Sequence, residues 1–185
     1  LAGDSVSAGK RLVELGIAQK RLGDLPESQN SQIRALSLLK NSGDSIYLSR
    51  IYNNLSITYR QLKDPDEAID EYSNALKFAT SRKDSLSLFN NIANAYLEKK
   101  DYSQSVKILD SILPFAREKE TINRIKDNYY FALWLDHKAN VEDSLKAVFQ
   151  SRREENDLSG LLSSQNHLTV VNLNNDPGEA LSFAR

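Results

Sequence analysis

An in-phase repeat constrains this chain more than any other feature. An acidic or amide residue stands at a turn in Asp24, Asp64, Asp101, Asn140 and Asp176, at spacings of 40, 37, 39 and 36. Four residues after each comes a small residue: Ser28, Ala68, Ser105, Ser144 and Ala180. Eight before come Gly16, Ser56, Ala93, Ala132 and Leu168, of which only the last is large. Nine before come Leu15, Leu55, Ile92, Phe131 and His167, and five before come Gln19, Tyr59, Tyr96, Leu135 and Val171. Self-similarity at such a period marks stacked repeats, in which each unit buries its apolar face only against its neighbours.

Each unit reads as two helices. The residues nine, eight and five before the anchor share one face at helical spacing, which places a first helix there. The anchor caps a second helix, its side-chain oxygen accepting from free backbone N–H groups. Pro65 and Pro177 occupy the first helical position, which proline tolerates, and Pro26 follows one residue later. Apolar or bulky residues recur eight and twelve residues on, until Ser151 and Arg152 interrupt the pattern in the fourth unit. Pro114 is expected to kink or end the third unit's second helix. Polar stretches such as Ser42-Gly43-Asp44-Ser45 and Arg82-Lys83-Asp84-Ser85 stop one helix and cap the next. Small residues let paired helices approach closely, and bulky ones fill the space between pairs. The expected fold is therefore all-α: a right-handed superhelical solenoid of antiparallel helix pairs, about 4.5 repeats long. The repeats run approximately 4–43, 44–83, 84–119, 120–156 and 157–185, the last truncated, and form a single array.

Composition removes most other classes. The net charge of −1 disfavours a nucleic-acid surface. The absence of cysteine removes disulfides, thiolate metal sites and thiol nucleophiles together. No run of 18 apolar residues suggests membrane insertion, so the segment reads as soluble, in the cytoplasm or the periplasm. His137 and His167 lack a metal-binding spacing, and no phosphate loop, dinucleotide fingerprint or nucleophile elbow occurs. No catalytic residue, metal or cofactor is assigned. Arg117-Glu118-Lys119-Glu120 and Arg152-Arg153-Glu154-Glu155 alternate in sign like solvated helix ends. The lack of an initiating methionine and the incomplete last unit read as an excised piece of something longer.

The pattern, carried most clearly by Asn54-Leu55-Ser56-Ile57-Thr58-Tyr59 and Asp64-Pro65-Asp66-Glu67-Ala68-Ile69, resembles that of tetratricopeptide repeats. The resemblance covers almost the whole chain. It departs at Gln19, where an aromatic is usual, at His167 and Leu168, and at Pro114. Some members of that family grip the acidic tail of chaperones with a clamp of Lys, Asn and Arg. Here only Asn54 fits that clamp, because Val13, Ile17, Ser87 and Asn91 stand where its other members belong. The 36–40-residue repeats also resemble those of bacterial regulators and sensor proteins, and of kinesin light chain and peptide-pheromone receptors, whose groove asparagines hold peptide backbones.

The face opposite the packed residues lies fourteen, eleven, seven and four before each anchor. It holds Lys10, Val13, Ile17 and Lys20, then Arg50, Asn53, Ile57 and Arg60, then Ser87, Asn90, Asn94 and Leu97, then Lys126, Tyr129, Leu133 and Asp136. This stripe is expected to line a concave groove that takes a protein or peptide segment. Asn53, Asn90 and Asn94 would hold a peptide backbone, Tyr129 would add an aromatic wall, and Arg50, Arg60 and Lys126 would select acidic segments. Against this stands a structural alternative in which Asn53-Asn54 and Asn90-Asn91 form a hydrogen-bonded ladder between adjacent first helices. A scaffold or dimerisation module, contacting a second copy through outer faces and the truncated last repeat, is the rival function.

Overall fold

The computed structural model describes residues 2–136 and 140–175. Their regular structure is entirely helical, with no strand among the described residues. The helices are α1 (Ala2–Arg21), α2 (Leu25–Leu39), α3 (Ser45–Gln61), α4 (Pro65–Leu76), α5 (Arg82–Glu98), α6 (Tyr102–Ile112), α7 (Lys119–Leu135), α8 (Glu142–Glu154) and α9 (Leu158–Asn175). They fall into two compact units that divide between Lys99 and Lys100. Pro114 ends α6, and the chain continues as one 3-10 turn over Leu113–Phe115.

The anchor column has a double role at the first two turns. In α1 the N–H of Gly23 bonds Lys20 O and the N–H of Asp24 bonds Gln19 O, which closes the helix with its penultimate turn residue left-handed. The Asp24 carboxylate then accepts from Glu27 N at the start of α2. The same pair of closing bonds recurs at Lys63 and Asp64, although Lys63 must reach φ 65° with a side chain, and Asp64 caps α4. Asp101 caps α6 by accepting from Gln104 N. Asp44 and Ser81 cap α3 and α5 in the same way. In the fourth unit the phase slips by one: Asn140 accepts from Glu142 N, but the residue flanking α8 is Val141, and Leu145 rather than Ser144 is buried. Asp176, Pro177 and Ala180 lie outside the described residues.

The small-residue columns make close helix contacts. Gly16, Ser56, Ala93, Ala132 and Leu168 are all buried. In the first pair Ser28 Oγ donates to Gly16 O at 2.8 Å, and Gln32 Nε2 donates to Val13 O at 3.1 Å. A Cβ on Gly16 would meet Gln32 Nε2 at 2.5 Å, so any larger residue must displace the buried Gln32 amide. Around this contact Val13, Ala35, Leu39, Leu48, Ile51 and Leu55 form the apolar core of the first unit.

The second unit has a different interior. Val141, Leu145, Leu168 and Val171 pack with Phe131, Trp134 and Phe149. Beside them Arg152 is 2 % exposed, and with the one-residue slip it takes the place held by the buried Ala35, Ala75 and Ile112 in the earlier second helices. The reading of Arg152 as part of a solvated charge run is therefore corrected: its neighbours Arg153 and Glu154 are exposed, but Arg152 points inward. It is buried because Asp127 of α7, 1 % exposed, lies 3.6 Å away, and because it also donates to Gly160 O at the start of α9. His167 approaches the same Asp127 oxygen at 3.2 Å and stacks on Phe131. His137 lies outside the described residues.

Candidate functional site

Asn53 and Asn91, on neighbouring first helices, face each other across the gap between α3 and α5. Asn91 Nδ2 donates to Asn53 Oδ1 at 3.5 Å. Among the described residues no other side-chain bond occupies either amide, so both N–H donors of Asn53 and the carbonyl oxygen of Asn91 are uncommitted. They line a pocket of about 340 Å³ together with Ile46, Ser49, Arg50, Thr80, Asp84, Ser87 and Leu88. A second, more open depression of about 450 Å³ lies between α1 and α3, lined by Glu14, Ile17, Ala18, Arg21, Leu22 and Arg50. Arg50 belongs to both.

Three first-helix cations of the first unit carry carboxylates of their own. Lys10 pairs with Asp44 at 2.8 Å, and Arg50 pairs with Glu14 at 2.8 Å while lying over the Tyr47 ring. Arg60 grips Glu98 in a two-point contact, Nε to Oε2 at 3.1 Å and its amino nitrogen to Oε1 at 2.5 Å. Lys20 donates to Asn54 Oδ1 at 2.9 Å. The Lys10 hydrogen bond and the Tyr47 N–H hold the Asp44 carboxyl below its ordinary range. Burial pushes Lys20 down. Burial also opposes the Arg60 charge, but Glu98 and Tyr72 outweigh it and raise that group.

The expected site residues divide among several places. Arg50 and Asn53 enter the pocket. Asn90 is 1 % exposed, and Asn91 beside it, not Asn90, faces Asn53. Asn94 is half-buried on α5 and Arg60 is held by Glu98, and neither lines the pocket. Lys126 and Tyr129 are half-buried on α7 in the other unit, where Tyr129 meets Tyr130 edge to face. Glu14, which the sequence reading did not single out, shares one column, ten before the anchor, with Asn54 and Asn91, which it placed in a structural ladder between first helices. Each of them bonds to a first helix of an adjacent pair. That recurrence of polar residues was the available signal.

Helix pairs stacked so that first helices face one another across polar contacts define a helical-repeat protein. Residues 11–81 match the tetratricopeptide repeat family, and the whole described chain has the fold of tetratricopeptide-repeat proteins. No curated protein matches it in sequence. Among solved structures it is similar to the nearly identical TPR-like repeats of a Podosopora anserina protein described as a kinesin light chain. That similarity has TM-score 0.70 and 14% identity, over 95% of this chain and 90% of that one. It is also similar to pilF of Pseudomonas aeruginosa, with TM-score 0.61 and 14% identity over 97% and 90% of the two chains. A third is YrrB, described as a TPR protein with an unusual peptide-binding site, with TM-score 0.55 and 14% identity over 93% and 80%. Repeats of this family are generally non-catalytic and bind protein partners. Among the described residues no helix is long and apolar enough to cross a membrane.

Proposed function

We propose that this chain is a non-catalytic peptide-binding module that takes an extended segment across α3 and α5, as the sensory or interaction part of a larger bacterial signalling protein. The Asn53–Asn91 pair carries the reading. Two adjacent amides with free donors and a free acceptor match the alternating N–H and C=O groups of a peptide backbone, whatever its side chains. The likeness to a protein described as having a peptide-binding site supports it, as does the repeat length for the bacterial context. The test is titration with peptides selected from a random library. Each neutral hydrogen bond contributes about 0.5–1.5 kcal/mol, so Asn53→Ala/Asn91→Ala is expected to weaken binding by roughly tenfold with the fold retained. Unchanged affinity in that double variant would remove the mechanism.

A second reading, the scaffold or dimerisation module, is favoured by α9. Leu158, Leu162, Val170 and Leu173 are all exposed along a helix with no acidic or basic residue in its end turns. Light scattering over a concentration series separates it from the first: a stable dimer lost in Leu162→Glu is its expected result.

A further inference from the structure

Arg50 forms the wall between the two depressions of the first unit, and only one of them contains Glu14. Resting on the peptide-binding reading above, we propose that Glu14 is a built-in occupant of a carboxylate seat on Arg50, and that an acidic peptide displaces it on binding.

Among the described residues of the first unit, the three first-helix ion pairs differ in what their acids do. Asp44 caps α3 as well as pairing with Lys10, so releasing it would open a helix end. Glu98 meets Arg60 with both oxygens, and the Arg60 side chain is only 23% exposed. Glu14 has one contact, a single oxygen on one amino nitrogen of Arg50, and its side chain is 56% exposed. An exposed, one-point pair has little net worth, because water and salt replace it readily. The Arg50 guanidinium keeps its remaining N–H donors for a second oxygen, and planar two-point binding of a carboxylate is what arginine does best.

The surroundings fix the class of occupant. Around Glu14 the depression carries Arg21 and Arg50, two cations to one acid, so a further carboxylate is attracted. Ile17, Ala18 and Leu22 line the same depression, and Leu22 is 85% exposed. They offer an apolar seat next to the charged one. The ligand is therefore a peptide with an acidic residue beside an apolar one. Its carboxylate takes the place of Glu14, and its backbone continues onto Asn53 and Asn91.

The experiment uses two octapeptide libraries, identical except that one fixed position is Glu in the first and Gln in the second. Apparent affinities are measured for the wild-type chain, Glu14→Gln and Arg50→Gln. The wild type is expected to prefer the Glu library. Removing the competitor in Glu14→Gln should raise affinity for the Glu library about 1.5- to fivefold, the range set by an exposed pair, and leave the Gln library unchanged. Arg50→Gln should abolish the preference. An equal gain with both libraries, or none with either, overturns the role of Glu14 while leaving the groove reading intact. Failure of every protein to bind either library overturns the groove reading, and this proposal with it.

Discussion

Replacing Arg152 with methionine should cost the second unit about 3–5 kcal/mol, the penalty for leaving a buried charge without its partner. Asp127 and Arg152 are each almost fully enclosed, at 1 % and 2 % exposure. Without Arg152, the Asp127 carboxylate keeps only the Ser163 hydroxyl and His167 beside it and has no water to turn to. Arg152 also lies 3.9 Å from Asp157 and donates to Gly160 O, so the variant loosens the turn from α8 into α9 as well. Trp134 is the only tryptophan and packs in the second unit's core, so its fluorescence reports this unit during urea unfolding. The expected result is an earlier Trp134 transition in Arg152→Met. Much of the loss should return in Asp127→Leu/Arg152→Met, because two well-packed apolar residues replace a buried pair at little cost. If the single variant unfolds with the wild type, the buried pair is not what holds this unit.

The second large effect belongs to Gly16. In Gly16→Val the new Cβ would meet Gln32 Nε2 at 2.5 Å and the backbone oxygen of Ser28 at 3.1 Å. Gln32 is wholly buried and donates to Val13 O, so pushing it aside adds an unsatisfied amide to the overlap. Overpacking and the lost bond together should destabilise the first unit by about 2–4 kcal/mol. For a chain of this size that corresponds to a melting point lower by roughly 5–15 °C. The melt is followed by circular dichroism. Gly16→Val/Gln32→Ala, which makes room for the valine, should recover part of the difference. A valine accommodated with no change in melting would show that the α1–α2 contact is looser than the structure has it.

These two sites show where the sequence was readable. The anchor and small-residue columns could be found because each meets one local physical demand: a left-handed stop followed by an N-cap, or a helix contact too close for a large side chain. Such demands recur with the repeat. Arg152 was not readable as a core residue because its burial depends on Asp127, twenty-five positions earlier on a different helix, and a charged residue within a charged run looks solvated. The one-residue slip at Val141 was not legible, because Asn140 keeps the residue type and interval of the anchor column. At the candidate site the face of the first helices was legible, but the column was displaced by one in α5. Asn91, not its buried neighbour Asn90, reaches Asn53. The charge of Arg50 and Arg60 was legible, whereas their pairing with Glu14 and Glu98 joins different helices and becomes visible only when the repeats are stacked.

The central claim is that a peptide lies across α3 and α5, and mapping its footprint tests this most directly. A library-selected peptide is titrated into the isotope-labelled chain while backbone amide signals are followed by NMR. The account predicts that the largest shifts fall on Ser49, Arg50, Asn53, Ser87 and Asn91, the residues that line one pocket. Shifts concentrated instead on Leu158, Leu162, Val170 and Leu173 of α9, with the α3–α5 pocket silent, would contradict it.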